Sequence, residues 1–265
     1  MSRVSDTFER LNGRSALIAY VMAGYPQISD TPSIVRGLVR GGVDIIELGL
    51  PFSDPIADGP VIQDAATRSL ANGVNVPTFL DIIRKVRAES DIPLVLMTYS
   101  NILYRYGYEK FIADSSAAGI DGYILPDMPM EESAHYTAAA HKNNSDAIFL
   151  VSPNTREERI REITKITSGF LYLVAVYGTT GASGGPQDYS VAAVGRIKDI
   201  TGDRIPLGVG FGVSSSDDIK MYVNAGADAV IVGSAILRLI SKTPRDALEE
   251  TMAQFAAGLK GAMIS

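Results

Sequence analysis

Three carboxylates, Glu47, Asp54 and Asp58, stand in the short stretch ELGLPFSDPIADGP, residues 47–60. Two carboxylates in unlike surroundings can divide a reaction between them, one kept neutral as an acid and the other charged. Glu47 falls inside the apolar run IIELG, where a buried charge is costly and a raised pKa is expected. An Arg partner or backbone hydrogen bonds would also account for it. Asp58 comes after a loop stiffened by Pro51 and Pro55, so it could return over the chain to face Glu47. It reads also as a helix N-cap, because GPVIQDAATRSL follows it and Pro60 suits a first helical turn. Asp54 reads more readily as a turn residue than as a catalyst.

Two further stretches carry glycine where an anion could be held. GVGFGVSSSDD (208–218) and VGSAILRLI (232–240) pair flexible backbone with the start of a helix, whose N–H groups and dipole favour phosphate. VYGTTGASGGPQDYS (176–190) is a long loop that suits a lid over a substrate, or an unstructured connection. Other chemistries find no support. His135 and His141 are six apart and leave a helix on different sides, so they cannot share a metal. Cysteine is absent, which removes thiolate ligands and disulfides, and no G-x-S-x-G turn is present. No lysine ends an apolar run, which argues against a Schiff base. Acid–base catalysis on a phosphorylated substrate remains, without metal or bound organic cofactor.

The elements that must position these residues are legible as a repeat. Eight apolar runs occur: ALIAYVM (16–22), VDIIELG (43–49), PLVLMTY (93–99), DGYILPD (121–127), DAIFLVS (146–152), FLYLVAV (170–176), IPLGVG (205–210) and DAVIVGS (228–234). Most are followed by helical periodicity, as in TPSIVRGLVR and REERIREITKI. Three joints, GGVDII, AGIDGYI and AGADAVI, repeat a helix-ending Gly followed by an Asp and a strand. Continuous apolar runs mean strands buried on both faces. Eight such units predict a single (β/α)8 barrel over residues 1–265, preceded by an N-terminal helix. A doubly wound open sheet is the alternative, but the first turn, MAGYPQISD, lacks a dinucleotide-binding glycine pattern. Barrel chemistry sits at the C-terminal strand ends, and all the stretches above lie there.

Composition is consistent with this reading. A net charge of -6 leaves no basic footprint for nucleic acid, and no apolar run is long enough to span a membrane. The polar start, MSRVSDTFERLNGR, lacks the apolar core of a secretory signal, so the cytoplasm is the expected compartment.

At these residues the chain resembles the tryptophan synthase alpha subunit family. ELGLPFSDPIADGP matches that family's signature almost residue for residue, and the likeness extends through MTYSNILYRYG, LPDMPMEES, VSPNT, GTTGA, GVGFGVSS and IVGSAI. The resemblance implies retro-aldol cleavage of indole-3-glycerol phosphate to indole and glyceraldehyde 3-phosphate. It gives Glu47 the role of acid/base and Asp58 that of the carboxylate meeting the indole N–H. It places Gly181, Phe211, Gly212, Gly233 and Ser234 on the phosphate, and Tyr20, Met97, Tyr99, Ile124, Leu150 and Tyr172 around the indole. Thr180 becomes the lid residue that contacts Asp58. A pyridoxal-phosphate beta subunit is the implied partner in an alpha2beta2 heterotetramer, facing Pro51, Phe52, Asp54, Pro55 and Asn101, with no cofactor in this chain. Ser183 stands where relatives commonly carry a basic residue after the GxTGA turn.

Overall fold

In the computed structural model, which describes residues 2–174, 188–202, 204–210, 212–213 and 215–263, the apolar runs form parallel strands wrapped by helices. The chain opens with helix α1 (Arg3–Leu11) and strand β1 (Ala16–Met22), followed by α2 (Thr31–Arg40) and β2 (Ile45–Gly49). Two helices, α3 (Pro60–Ala71) and α4 (Val76–Glu89), precede β3 (Leu94–Met97), and α5 (Ser100–Tyr106) and α6 (Tyr108–Ala118) precede β4 (Gly122–Ile124). Then come α7 (Ala134–Lys142), β5 (Asp146–Ile148), β6 (Leu150–Val151), α8 (Glu157–Ile166), β7 (Leu171–Val174) and α9 (Asp188–Thr201). The last units are β8 (Leu207–Gly210), α10 (Ser216–Asn224), β9 (Ala229–Val232), α11 (Ser234–Lys242) and α12 (Leu248–Ala262).

Strand order is β5-β4-β3-β2-β1-β9-β8-β7-β6, every pair parallel. The two ends of that order, β5 and β6, are halves of one apolar run. β5 follows β4 (Ile124↔Ile148), β6 follows β7 (Leu150↔Tyr172), and Tyr172 N–H donates to the carbonyl of Phe149 between them at 2.9 Å. The fifth run therefore changes neighbours midway, and the sheet closes on itself as a barrel. Eight runs were expected as eight strands; the fifth is broken at Phe149 because each half pairs with a different neighbour.

The repeated Gly–x–Asp joints have a shared structural task. Gly42, Gly119 and Gly226 take φ of +90°, +123° and +96°, which reverses the chain at the helix end. The Asp that follows then grips the strand beside it. Asp44 accepts Leu17 N–H at 2.7 Å, Asp121 accepts Leu94 N–H at 2.9 Å, and Asp228 accepts Leu207 N–H at 2.7 Å. Each is balanced by a cation from a helix: Lys260, Arg87 and Lys198 respectively. These clasps tie successive strands at the N-terminal face, away from the loops expected to react.

Closure also needs the last helix to meet the first barrel helix. α12 lies against α2 so closely that a Cβ on Gly37 would overlap the carbonyl of Glu249, and one on Gly41 would come within 2.5 Å of Ala253 O. Ion pairs from Arg36 and Arg40 to Glu249 border this contact. Among the described residues no helix is long and apolar enough to cross a membrane.

Candidate active site

Glu47 sits on β2 in register with Tyr20 on β1 and Val95 on β3, so it points into the barrel with them. It is only 1% exposed. Its Oε2 is buried without a hydrogen-bond partner among the described residues, and no ion pair reaches it there. The Arg partner that would have made it structural is not found among them. Burial, and next the charge of Asp58, push the Glu47 carboxyl up to about 8, so it carries a proton at neutral pH.

Asp58 reaches the same cavity from the loop after β2. It does not cap α3. Gly59 occupies the N-cap and makes no side-chain cap bond, which leaves the Asp58 carboxylate free to face inward. Burial raises Asp58 to about 6, while a hydrogen bond from the Tyr99 hydroxyl opposes that rise. At neutral pH the pair is thus one acid and one anion, the division of labour that two carboxylates in unlike environments permit.

The cavity at the C-terminal mouth is lined by both carboxylates with Tyr20, Met97 and Tyr172, and by Gly212, Gly233 and Ser234. Two glycines make room for its aromatic walls. A Cβ on Gly49, the next inward position after Glu47, would overlap the Tyr20 hydroxyl. One on Gly210 would overlap the Tyr172 hydroxyl. Burial, and then the nearby carboxylates, raise both tyrosines well above their ordinary value, so their hydroxyls remain neutral. Beside Tyr20, Gly233 N-caps α11 and Ser234 begins it, and among the described residues no side chain occupies the cap. Its unpaired N–H groups form a place for an anion. The remainder of the other glycine stretch has a structural duty: Ser215 and Asp218 form a reciprocal capping box on α10.

Not every expected residue reaches the cavity. Tyr99 is buried with its hydroxyl at the Ala57 N–H, and is not among the residues lining the cavity. Ile124 is fully buried on β4 beside Met97, and Leu150 is half-buried on β6 beside Tyr172; neither is in the lining. Three apolar residues that motif reading passed over do line it: Ile62, Val213 and Ile231. Ile231 could have been found by alternation, since it lies two residues before Gly233 on the same strand face. Thr180, Gly181 and Phe211 lie outside the described residues. Of the partner-facing set, Pro51, Phe52 and Asn101 line one outer groove with Leu50 and Ile102. Asp54 and Pro55 do not line it, and Ile56 and Tyr104, about three-quarters exposed at 76% and 75%, were not anticipated.

A closed parallel barrel with two buried carboxylates and a helix N-terminus at its C-terminal mouth is the frame of a (β/α)8-barrel enzyme. The family model described as tryptophan synthase alpha chain matches residues 8–263. The chain belongs to that family, and is thereby a lyase of the tryptophan pathway. It is 42% identical over 265 residues to the tryptophan synthase alpha chain of Geobacter sulfurreducens, covering 99% of each chain. It is 44% identical over 264 residues to that of Methanosarcina barkeri, covering 98% of each. A chain from the tryptophan synthase a2b2 complex of Pyrococcus furiosus superposes with a TM-score of 0.87 at 37% identity, covering 94% of this chain and 98% of that one. A chain of Mycobacterium tuberculosis tryptophan synthase gives 0.87 at 36% identity, covering 97% and 98%.

Proposed function

We propose that this chain cleaves indole-3-glycerol phosphate to indole and glyceraldehyde 3-phosphate, with Glu47 as acid/base and Asp58 as the anion on the indole ring. The observation that carries the reading is the buried Glu47, whose Oε2 has no hydrogen-bond partner among the described residues, in the cavity that Asp58 also enters. Glu47 gives its proton to indole C3, which breaks the ring's conjugation and leaves positive charge at the N1–H. The Asp58 carboxylate accepts a hydrogen bond from that N–H and offsets the charge. The Glu47 carboxylate, now ionised, takes the proton of the adjacent glycerol hydroxyl. The C–C bond breaks as the new aldehyde forms, and its electrons return to the ring. Atoms and charge balance without a metal or an oxidant.

Gly212, Gly233 and Ser234 hold the phosphate, with Gly181 and Phe211 completing the site on the family pattern and Thr180 serving the lid. Tyr20, Met97 and Tyr172 flank the indole. The product passes to a beta subunit, which carries the pyridoxal phosphate that this chain does not use. That partnership is supported by the a2b2 complex among the structural relatives, and by the outer groove at Pro51, Phe52 and Asn101. The test is release of glyceraldehyde 3-phosphate from indole-3-glycerol phosphate by the chain, alone and with a beta subunit. No cleavage in either mixture would overturn the reading.

A further inference from the structure

Among the described residues, little holds the loop that carries Asp58. Pro51 and Pro55 have no N–H to donate. Among the described residues, the backbone of 51–58 is hydrogen-bonded at only two points, one residue apart, and both partners are side chains. The Ala57 N–H donates to the Tyr99 hydroxyl at 3.1 Å, and the Asp58 carbonyl accepts from Gln63 Nε2 at 2.7 Å. The same hydroxyl stands beside the Asp58 carboxyl and favours its charged form, so one hydroxyl serves both the backbone of Ala57 and the side chain of Asp58. Its ring is buried and packed against Phe52, with centroids 5.3 Å apart, which keeps it from tilting away. Gln63 lies on the first turn of α3 and also donates its backbone N–H to Gly59 O at 2.9 Å. It thereby grips the two peptides that follow Asp58.

We propose that Tyr99 and Gln63 are positioning residues that clamp Ala57–Gly59 from two sides, so that the Asp58 carboxylate faces the reacting ring instead of capping the helix behind it. The clamp rests on the reading of Asp58 given above, and it moves Tyr99 from the indole wall to the support of a catalytic group. Without it, the Asp58 carboxylate has a competing position at the N-terminus of α3, where Gly59 holds the N-cap and no side-chain cap is found among the described residues.

Two variants test this: Tyr99→Phe, which keeps the ring and loses the hydroxyl, and Gln63→Met, which keeps the length and loses the donor. A hydrogen bond to a charged group is lost in the first, so kcat should fall about tenfold to a hundredfold with KM within about twofold. Gln63→Met, losing a neutral bond, should lower kcat about twofold to tenfold, again without a KM change. The groups facing Asp58 that share its titration are Glu47, Tyr20, Tyr99 and Tyr172. Carbon-13 NMR of the Asp carboxyls follows Asp58 without reference to activity. Tyr99→Phe should raise its titration midpoint from about 6 by at least about one pH unit, since the bond that favours the charged form is gone. A raised KM with an unmoved Asp58 midpoint would return Tyr99 to the pocket wall and overturn the proposal. A lowered Tm with kcat and midpoint unchanged would reduce both residues to structural supports and overturn it too. Asp58→Asn separates the two levels: near-normal kcat there would refute the role of Asp58, whereas the shifted midpoint in Tyr99→Phe would still establish the contact.

Discussion

Replacing Glu47 by Gln preserves the side chain's shape and removes its ionisable proton, so it should lose activity and gain stability together. The stability effect follows from linkage. In the unfolded chain the carboxyl loses its proton above about 4.5, whereas in the folded protein it keeps it to about 8. Between those values the folded state binds the extra proton, so stability falls as pH rises through the window. At pH 7 about nine in ten folded molecules carry the proton, about 300 times the fraction of an ordinary Glu. The corresponding cost of holding it in place is about 3 kcal/mol at pH 7 and close to zero at pH 4. Gln never ionises and escapes that cost. Urea unfolding of the two proteins should show Glu47→Gln more stable by about 3 kcal/mol at pH 7, with the gap closing toward pH 4. Activity should fall by about 10²–10⁴-fold, the usual contribution of a general acid–base group. In the unmodified enzyme, kcat/KM should rise through about 6 as Asp58 ionises and fall beyond about 8 as Glu47 does. A stability gap that does not depend on pH would refute the claim that Glu47 is carried neutral, and near-normal kcat would refute its role as the acid.

Three further outcomes are expected. Ser234→Asp should raise KM for the phosphorylated substrate about tenfold or more while lowering kcat much less, because it sets a negative charge at the N-terminus of α11; an analogue without phosphate should be spared. Gly210→Ala should lower kcat/KM by driving the Tyr172 ring into the cavity, and Tyr172→Leu in the same chain should recover part of the loss; no recovery would place the damage in the strand itself. Gly37→Ala should destabilise the fold by about 1–3 kcal/mol in urea unfolding with the kinetics of the folded enzyme unchanged, since its Cβ has to displace the backbone of α12.

Much of the barrel was legible because its signals are local. A strand buried on both faces must be apolar throughout, and a helix that ends in a left-handed turn takes Gly at that point; both demands appear as residue types in a fixed order. The same locality explains why the carboxylates that meet at the mouth stood out: a Glu inside an apolar run is costly enough to need a reason. Ile62, Val213 and Ile231 escaped because an apolar residue beside the cavity has the same composition as one in the core. Tyr99 was assigned to the wall because its position at the end of the third run is local, while the direction of its hydroxyl depends on a loop from the second.

By itself the sequence determined the number of βα units, the end of the barrel where chemistry could occur, the two carboxylates and the glycine-rich strand ends, all of them properties of residue type and spacing. Tertiary structure alone decided the rest. It broke the fifth run at Phe149, where the chain passes from one neighbouring strand to the other. It placed Gly59, not Asp58, at the cap of α3, a choice between adjacent residues that either could satisfy in isolation. It showed that the Asp in each repeated joint holds a strand from the preceding unit, a contact invisible along the chain. It also set the ionisation of Glu47 and Asp58 apart, because a pKa depends on what surrounds a group in space and not on its neighbours in sequence.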